Sequence, residues 1–380
     1  MLKKIISFVL TVSVCAWICP VYACSEEESG YTRCAVLAEA STGTILEEHN
    51  GSVRVPVGVM SKLMTVLLAS EAESAGEISP DDEVTAGASV NNVNGALIWL
   101  SPGDKITFSE LMKGIITGNA NDAAVTAAER LGGTQEKFVE MMNLKAKALG
   151  MNDTSFKSCH GYDDSGNQIS TAEDMSLLVC ELGKYSCYDE MFLCKVDHIR
   201  SGEAMLVNSN RLAGKFDGLK GYKAGYTEAS GYCGAFLAQR DGRSYAAVLL
   251  GYEDEDKMFA DARKLLERGF GSYRLFSPEL PEDIPFRINV RGGNADSVRI
   301  ACDEAEEIII RTGEADEITC VTALPEYIYA PVRKGDKVGE VLYYKKGSCV
   351  SRVDITAEES SDEINLLSIV VVLIKKIIGF

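Results

Sequence analysis

The hydrophobic periodicity of this 380-residue chain changes at a cluster of three prolines, Pro278, Pro281 and Pro285. Before the cluster, apolar residues recur with the spacing of amphipathic helices; after it, they form short runs separated by Gly and Asp turns. Proline cannot continue a helix and removes a backbone donor, so such a cluster indicates a linker. Two folded modules are therefore predicted, as the chain length allows.

The first module, residues 30–277, is predicted to pack helices around an antiparallel sheet. Residues 34–46 (CAVLAEASTGTIL) are typical of a hairpin, and residues 245–251 (YAAVLLG) of a buried strand. Helical spacing is found at residues 62–71, 108–116, 122–131, 138–149, 171–182 and 257–270. This order favours an α+β or layered α/β domain.

The second module, residues 285–356, lacks helical periodicity. Its strand-like runs lie at residues 308–310, 327–329 and 338–343. We expect a small all-β domain.

The N-terminus is typical of a secretory signal peptide over residues 1–23. Lys3 and Lys4 precede an apolar stretch at residues 5–18, and residues 21–23 (VYA) supply small residues for cleavage. The apolar stretch is too short for a membrane-spanning helix. Cleavage before Cys24, with or without lipoprotein processing, changes the formal charge from −18 to −20. A chain this acidic is a poor candidate for binding nucleic acid through its overall field.

The C-terminal residues 362–380 form an apolar tail. Residues 364–374 are almost wholly apolar but too few to span a bilayer as a helix. We expect the tail to lie in the membrane interface, with Lys375 and Lys376 near the headgroups. A packed core helix is the alternative.

The cysteines give no metal-binding pattern. Ten remain after leader removal, none in a C-x-x-C pair, and the chain has three histidines, His49, His160 and His198. No metal or other cofactor is expected. Disulfides are possible outside the cytoplasm, and free buried thiols are the alternative.

Three segments carry a family resemblance: residues 54–65 (RVPVGVMSKLMT), 119–124 (NANDAA) and 217–233 (DGLKGYKAGYTEASGYC). In this order they resemble the S-x-x-K, S-x-N and K-T-G motifs of the serine-type D-alanyl-D-alanine carboxypeptidases, the low-molecular-mass penicillin-binding proteins of peptidase family S11. The family resemblance extends to segments outside the three motifs, at residues 160–175, 208–212, 259–266 and 330–339. The resemblance implies a β-lactamase/transpeptidase-like domain followed by the small β-domain.

The resemblance also assigns the first two motifs. Val59 stands where the family has its nucleophilic serine, and Lys62 stands where the family has the lysine that assists its deprotonation. Asn119 replaces the serine that passes a proton to the leaving D-alanine, and Asn121 is kept.

In the third motif, Lys223 and Gly225 are kept, Ala224 replaces the threonine, and a short insertion precedes them. The family's lysine and threonine sit beside the terminal carboxylate of the substrate. Each motif of this chain therefore keeps its scaffold and lacks one hydroxyl.

The substitution of Val59 decides the expected activity, because a covalent route requires an attacking heteroatom beside a base. Ser61 is a poor substitute, because neighbours on a helix point about 100° apart whereas residues three apart share a face. The leading interpretation is a non-catalytic homologue that binds peptidoglycan stem peptide, at its D-Ala-D-Ala end, or a wall-associated protein. The alternatives are an active D-Ala-D-Ala carboxypeptidase that trims pentapeptides, and a purely structural protein. Each interpretation places the chain at the outer face of the cytoplasmic membrane, anchored by the tail.

Overall fold

The computed structural model describes residues 32–162, 166–305 and 307–364. The helices are α1 (Lys62–Ser74), α2 (Phe108–Ile116), α3 (Asn121–Gly132), α4 (Gln135–Ala148), α5 (Ala172–Leu182), α6 (Asp189–Leu193) and α7 (Glu255–Ser272). The strands up to α7 are β1 (Cys34–Glu39), β2 (Ile45–His49), β3 (Val55–Pro56), β4 (Glu83–Thr85), β5 (Lys105–Thr107), β6 (Ile169–Ser170), β7 (Val196–Ile199), β8 (Ala204–Val207), β9 (Leu219–Thr227), β10 (Gly231–Arg240) and β11 (Arg243–Tyr252). Those after α7 are β12 (Tyr273–Phe276), β13 (Arg287–Arg291), β14 (Ser297–Cys302), β15 (Ile308–Arg311), β16 (Ile318–Ala323), β17 (Tyr327–Tyr329), β18 (Lys337–Lys345) and β19 (Ser348–Ala357).

The first module is built on a five-stranded antiparallel sheet with the order β2-β1-β11-β10-β9. Helix α7 packs against β11 and β10, and α5 packs against the same strands and β1. Because helices cover both faces, β10 and β11 are buried along most of their length and read as continuous apolar runs. Strand β9 is left at the edge of this sheet, beside the turn Gly58–Ser61 that precedes α1.

Helix α1 is the centre of the helical layer and contacts α2, α3, α4 and α5. Its residues from Lys62 to Ser70 are all buried, including the polar ones. The hydroxyl of Thr65 donates to the carbonyl of Cys159 at 2.7 Å, and that of Ser70 donates to Val66 at 2.9 Å. Burial without loss of hydrogen bonds allows polar residues to lie in this helix.

Four helices begin where a side chain caps a free backbone amide. Thr107, Thr134, Thr171 and Asp254 each accept from the amide three residues further on, at the start of α2, α4, α5 and α7. These caps place the helix starts within a few residues of the predicted ones.

The second module is a six-stranded sheet with the order β16-β18-β19-β14-β13-β17. Alternate residues of its strands, such as Ile288, Val298, Val341 and Ile355, form a separate apolar core. Strand β17 runs parallel to β13 at one edge of this sheet. The expected small all-β fold is confirmed.

Strand β15 differs from the expectation in its partner. The apolar run at 308–310 is a strand, but it pairs with β12, directly after α7, and not with the six-stranded sheet. The tyrosine at the start of β12, Tyr273, lies opposite Arg311. The chain therefore returns across the proline segment to pair with the end of the first module.

The proposed signal peptide and all but the first residues of the apolar tail lie outside the described residues. Within the described ranges, no helix has both the length and the apolar character needed to cross a membrane. The nine cysteines that the structure describes are free thiols.

Candidate active site

Val59 lies in the 3-10 turn Gly58–Ser61, immediately before α1, and is 4% exposed. Its Cγ2 faces the backbone of Gly225 on β9, since a Cβ atom placed on Gly225 would be 2.4 Å from it. The same Cβ would be 3.3 Å from the Nδ2 of Asn119. The fold therefore brings one residue from each of the three motifs into one place.

Lys62 follows at the start of α1 and is fully buried. Its ammonium nitrogen donates to the carbonyl oxygen of His160 at 2.7 Å. Burial lowers the pKa of Lys62 well below its usual value, and the charge of Lys223 lowers it further, while Cys159 acts in the opposite direction. Burial thus disfavours the charged form of Lys62 relative to an exposed lysine.

Lys223 enters the same region from β9 and is 3% exposed. Its Nζ donates to the carbonyls of Ile115 and Ile116, at 2.8 and 3.3 Å, at the C-terminal end of α2. Burial lowers the pKa of Lys223 to about 7. Neither Lys62 nor Lys223 forms an ion pair with a carboxylate of the described residues. The site thus holds two buried amines without an internal anion.

Two asparagines contribute acceptor atoms to this region. Asn119 has a left-handed backbone (φ 57°) in the connection between α2 and α3, a conformation that asparagine tolerates better than most residues. Asn121 begins α3 and donates through Nδ2 to the carbonyl of Asn94 at 2.6 Å. The Oδ1 atoms of both side chains are buried, and no donor among the described residues reaches them. Buried acceptors of this kind are costly unless a ligand or water satisfies them.

Asp122 holds in place the loop that borders the site. The sequence predicted for Asp122 only a position at the start of a helix. Its carboxylate accepts from the amides of Ile98 and Leu100, both at 3.0 Å, and from that of Ala123 at 2.9 Å. Sequence reasoning missed this role because the loop is about twenty residues away along the chain.

Arg200 holds the same loop from the other side and was not among the predicted site residues. Its guanidinium donates to the carbonyls of Ile98 and Trp99, at 3.0 and 2.8 Å, and pairs with Asp104 at 3.1 Å. Nothing in the local sequence around Arg200 signals these contacts.

Ser61, the nearest hydroxyl to Lys62 in sequence, is fully buried. Its Oγ donates to the carbonyl of Gly58 within the same turn at 3.1 Å. Gly161 closes over it, since a Cβ on Gly161 would lie 2.3 Å from the Ser61 Oγ. The hydroxyl is thus enclosed between the turn and a neighbouring loop.

Ala224 does not join the other motif residues. It is 2% exposed and packs in the apolar cluster with Phe236 and the residues of α7, and its carbonyl accepts from the Ser209 hydroxyl at 2.5 Å.

The insertion before the third motif is accommodated in a bulge. Leu237 lies opposite Gly221 and Ala238 opposite Leu219, so Lys220 is the extra residue of β9. Lys220 pairs with Asp189, while Lys223 reaches the site. The assignment of the motif lysine to Lys223 is the one this geometry favours.

The side chains of this site can bind an anion through the amines of Lys62 and Lys223, but they offer no nucleophile at residue 59. Carbon and hydrogen are the only atoms at the Val59 side chain, whereas the two amines and the amide groups provide donors and acceptors. The described part of the chain contains no group of three or more His, Cys, Asp or Glu side chains that could hold a metal ion.

Two family models match the sequence. Residues 24–254 match the model described as D-alanyl-D-alanine carboxypeptidase. Residues 282–363 match the one described as the C-terminal domain of penicillin-binding protein 5. Among curated relatives, D-alanyl-D-alanine carboxypeptidase DacF of Bacillus subtilis is 31% identical over 329 residues, which cover 86% of this chain and 84% of the relative. DacC of Escherichia coli is 29% identical, and the match covers 89% of this chain and 86% of DacC.

Solved structures agree in fold. Penicillin-binding protein 5 from Haemophilus influenzae has a TM-score of 0.76 at 26% identity, over 87% of this chain and 97% of its own. Penicillin-binding protein D2 from Listeria monocytogenes, solved in a cefotaxime-bound form, is 32% identical with a TM-score of 0.56, over 62% of this chain and 96% of its own. The fold is thus that of the penicillin-binding proteins, helices around an antiparallel sheet with an all-β C-terminal domain. The chain belongs to the D-alanyl-D-alanine carboxypeptidase family, peptidase family S11.

Proposed function

We propose that this chain is a non-catalytic member of the D-alanyl-D-alanine carboxypeptidase family that binds the D-Ala-D-Ala end of a peptidoglycan stem peptide. The observation that carries the proposal is the valine at residue 59, one helical turn before Lys62 and in contact with Gly225. Acyl transfer through a covalent intermediate needs an attacking heteroatom beside a base. Loss of the nucleophile from such a unit costs on the order of a million-fold in rate.

The surroundings of Ser61 support the same proposal. Its hydroxyl is occupied by the carbonyl of Gly58 and enclosed by Gly161. To reach a substrate it would have to break that hydrogen bond and move through packed backbone. A takeover of the nucleophile role by Ser61 is therefore disfavoured.

Binding is supported by the polar groups that remain. Lys223 has no internal carboxylate partner among the described residues, so the C-terminal carboxylate of a peptide that displaces the carbonyls of Ile115 and Ile116 can pair with its ammonium. The Oδ1 atoms of Asn119 and Asn121 are buried and unsatisfied, so a peptide that opens the site can donate its amide N–H groups to them. A site built to satisfy such groups discriminates against ligands that leave them unpaired.

Two measurements test the proposal. Mass spectrometry of the purified protein after incubation with a β-lactam is expected to show no covalent adduct, and no D-alanine should be released from a pentapeptide. Calorimetric titration with an N-acylated peptide ending in D-Ala-D-Ala is expected to show binding, and the L-Ala-L-Ala peptide serves as the comparison. Lys223→Met should abolish the binding, whereas the matched variant Lys220→Met, which alters a lysine paired with Asp189, should retain it.

The outcomes separate the competing functions. An adduct on Ser61, or on any serine of the site, would establish the active carboxypeptidase. Absence of both adduct and peptide binding would leave a structural protein or one whose partner is another wall protein.

The location proposed with this function is the outer face of the cytoplasmic membrane. It rests on the charged and apolar leader at residues 1–23 and on the apolar tail at residues 362–380. Truncation before Ile364 is expected to release the protein into the soluble fraction. Retention of the truncated protein on membranes would exclude the tail as the anchor.

A further inference from the structure

Two tyrosines, the half-buried Tyr327 and the exposed Tyr329, lie on β17 at one edge of the six-stranded sheet. Tyr327 and Tyr329 are two residues apart on the strand, so both side chains project from the same face. Their ring centres are 5.5 Å apart and the ring planes meet at 88°. Tyr329 is 68% exposed. Tyrosine is enriched at interaction surfaces, because its ring is apolar and its hydroxyl can form hydrogen bonds.

Arg291 extends this pair into the neighbouring strand. Strand β13 runs parallel to β17 with Arg291 opposite Tyr329, and the guanidinium carbon of Arg291 lies 3.3 Å from the centre of the Tyr327 ring. This contact holds the guanidinium over the ring without using its N–H groups. No carboxylate of the described residues is within ion-pair distance of Arg291. The Arg291 guanidinium is therefore held in place by Tyr327, and its N–H groups remain available to a ligand.

The rest of the β13 surface is basic. The strand alternates exposed and buried residues, which places Arg287, Asn289 and Arg291 outward. Arg287 and Arg299 share one carboxylate, that of Glu359, at 2.9 and 2.8 Å. The ion pairs of these three guanidinium groups thus involve a single carboxylate, although the net charge of the chain is −18. Acidic residues beyond a Debye length of about 8 Å are largely screened at physiological salt, so the local charge governs an anionic ligand here.

We propose that the surface formed by Tyr327, Tyr329, Arg291 and Asn289, here called the tyrosine face, binds a polysaccharide that carries carboxylates. The negative face of an aromatic ring attracts the C–H groups of a pyranose ring, and tyrosine offers it at low entropic cost. The guanidinium fork of Arg291 can bind a carboxylate through two parallel hydrogen bonds. Asn289 supplies both a donor and an acceptor for hydroxyl or acetamido groups.

The occupant is the glycan strand of peptidoglycan from which the stem peptides have been removed. Such a strand consists of pyranose rings and carries one free lactyl carboxylate on every second sugar, so it matches both the aromatic and the basic parts of the tyrosine face. The choice of a wall glycan rests on the wall location proposed above, but not on the site around Val59. This ligand contains no stem peptide. An experiment can therefore disprove glycan binding at the tyrosine face without bearing on peptide binding at the site around Val59, and the reverse.

The test is affinity electrophoresis of the mature protein in gels containing amidase-treated glycan strands. Three further ligands accompany it: the same strands with their carboxylates blocked as amides, chitin oligosaccharides and polyglutamate. Tyr329→Ala is expected to weaken glycan binding about tenfold, and Tyr329→Phe, which keeps the ring, to retain it. Blocking the carboxylates should weaken binding about fivefold, and Arg291→Ala should remove the difference between the two glycans.

The matched control is Arg352→Ala, which removes an exposed arginine from β19, another strand of the same sheet. It should bind glycan as the unaltered protein does. Equal effects of Tyr329→Ala and Arg352→Ala would overturn the proposal. Equal retention by polyglutamate and glycan would also overturn it, because it would show that charge alone is recognised.

Discussion

The Cγ2 atom of Val59 packs directly against the backbone of Gly225, the glycine of the third motif. A Cβ atom on Gly225 would come within 2.4 Å of that methyl carbon, a distance too short for two non-bonded carbon atoms. Glycine at residue 225 is thus required by the valine at residue 59. The two positions come from segments more than 160 residues apart in the sequence.

Gly225→Ala is expected to destabilise the protein by about 1–3 kcal/mol, because overpacking forces the neighbouring backbone to shift. Val59→Ala should relieve the overlap, so the double variant is expected to be more stable than Gly225→Ala alone. Urea unfolding of the two single variants and the double variant measures the coupling. Gly271→Ala in α7 is the control, because a Cβ there meets no atom within 4 Å. Strictly additive effects of the two substitutions would contradict the contact.

Restoring the nucleophile tests the origin of the inactivity that we propose. Val59→Ser alone is expected to give little β-lactam adduct, because the serine of the second motif is also missing at residue 119. The double variant Val59→Ser, Asn119→Ser is expected to give more adduct. Adding Ala224→Thr should not increase the adduct further and should lower the stability by about 1–3 kcal/mol, because residue 224 packs in a closed apolar cluster away from the other motif residues.

Mass spectrometry of the adduct at the residue-59 peptide is the measurement for this series. Val59→Ala is the control, since it opens the same space without supplying a hydroxyl. An adduct on Val59→Ala would identify another serine as the reactive group.

Peptide binding is expected to weaken as pH rises above about 7. Burial lowers the pKa of Lys223 to about 7, so its ammonium form predominates below that pH and its neutral amine above it. A bound carboxylate stabilises the ammonium and raises its pKa, so binding above pH 7 requires uptake of a proton. The affinity should then fall by up to about tenfold per pH unit.

Calorimetric titration from pH 6 to pH 9 with the N-acylated D-Ala-D-Ala peptide measures this dependence. Lys220→Met should keep the profile of the unaltered protein. An affinity that rises with pH, or stays constant, would show that Lys223 is not the carboxylate's partner.

Limited proteolysis is expected to cut the chain between Pro278 and Pro285, where a proline cluster joins the two modules. The two fragments should stay together on size exclusion, because β12 before the cut pairs with β15 after it. The hydroxyl of Tyr343 also donates to the carbonyl of Glu279 at 3.1 Å. Denaturing electrophoresis reports the cut and native chromatography the association. Separation of the nicked fragments in native buffer would contradict this prediction.

Elements with a local signal could be predicted from the sequence. The helix around Phe108 was found with the same bounds as in the structure, because its apolar spacing and its Thr107 cap are both local. The strand β12 was not predicted, because four residues directly after a helix give no clear period. Its partner β15 was found as a strand, but its pairing depends on a contact about 35 residues away.

The sequence by itself determined that residue 59 carries no heteroatom, that Lys62 follows it by three residues, and that a module of helices around an antiparallel sheet precedes an all-β module. These are matters of residue identity and short-range period. The tertiary structure decided that Lys223 is buried against the end of α2 while Lys220 pairs with Asp189, that Asp122 and Arg200 hold the loop at Ile98, and that the Ser61 hydroxyl is enclosed by Gly161. Each of these depends on how distant segments pack. That packing buries the amine of Lys223 among backbone carbonyls and leaves the amine of Lys220 beside the carboxylate of Asp189. No local pattern in the chain encodes that choice.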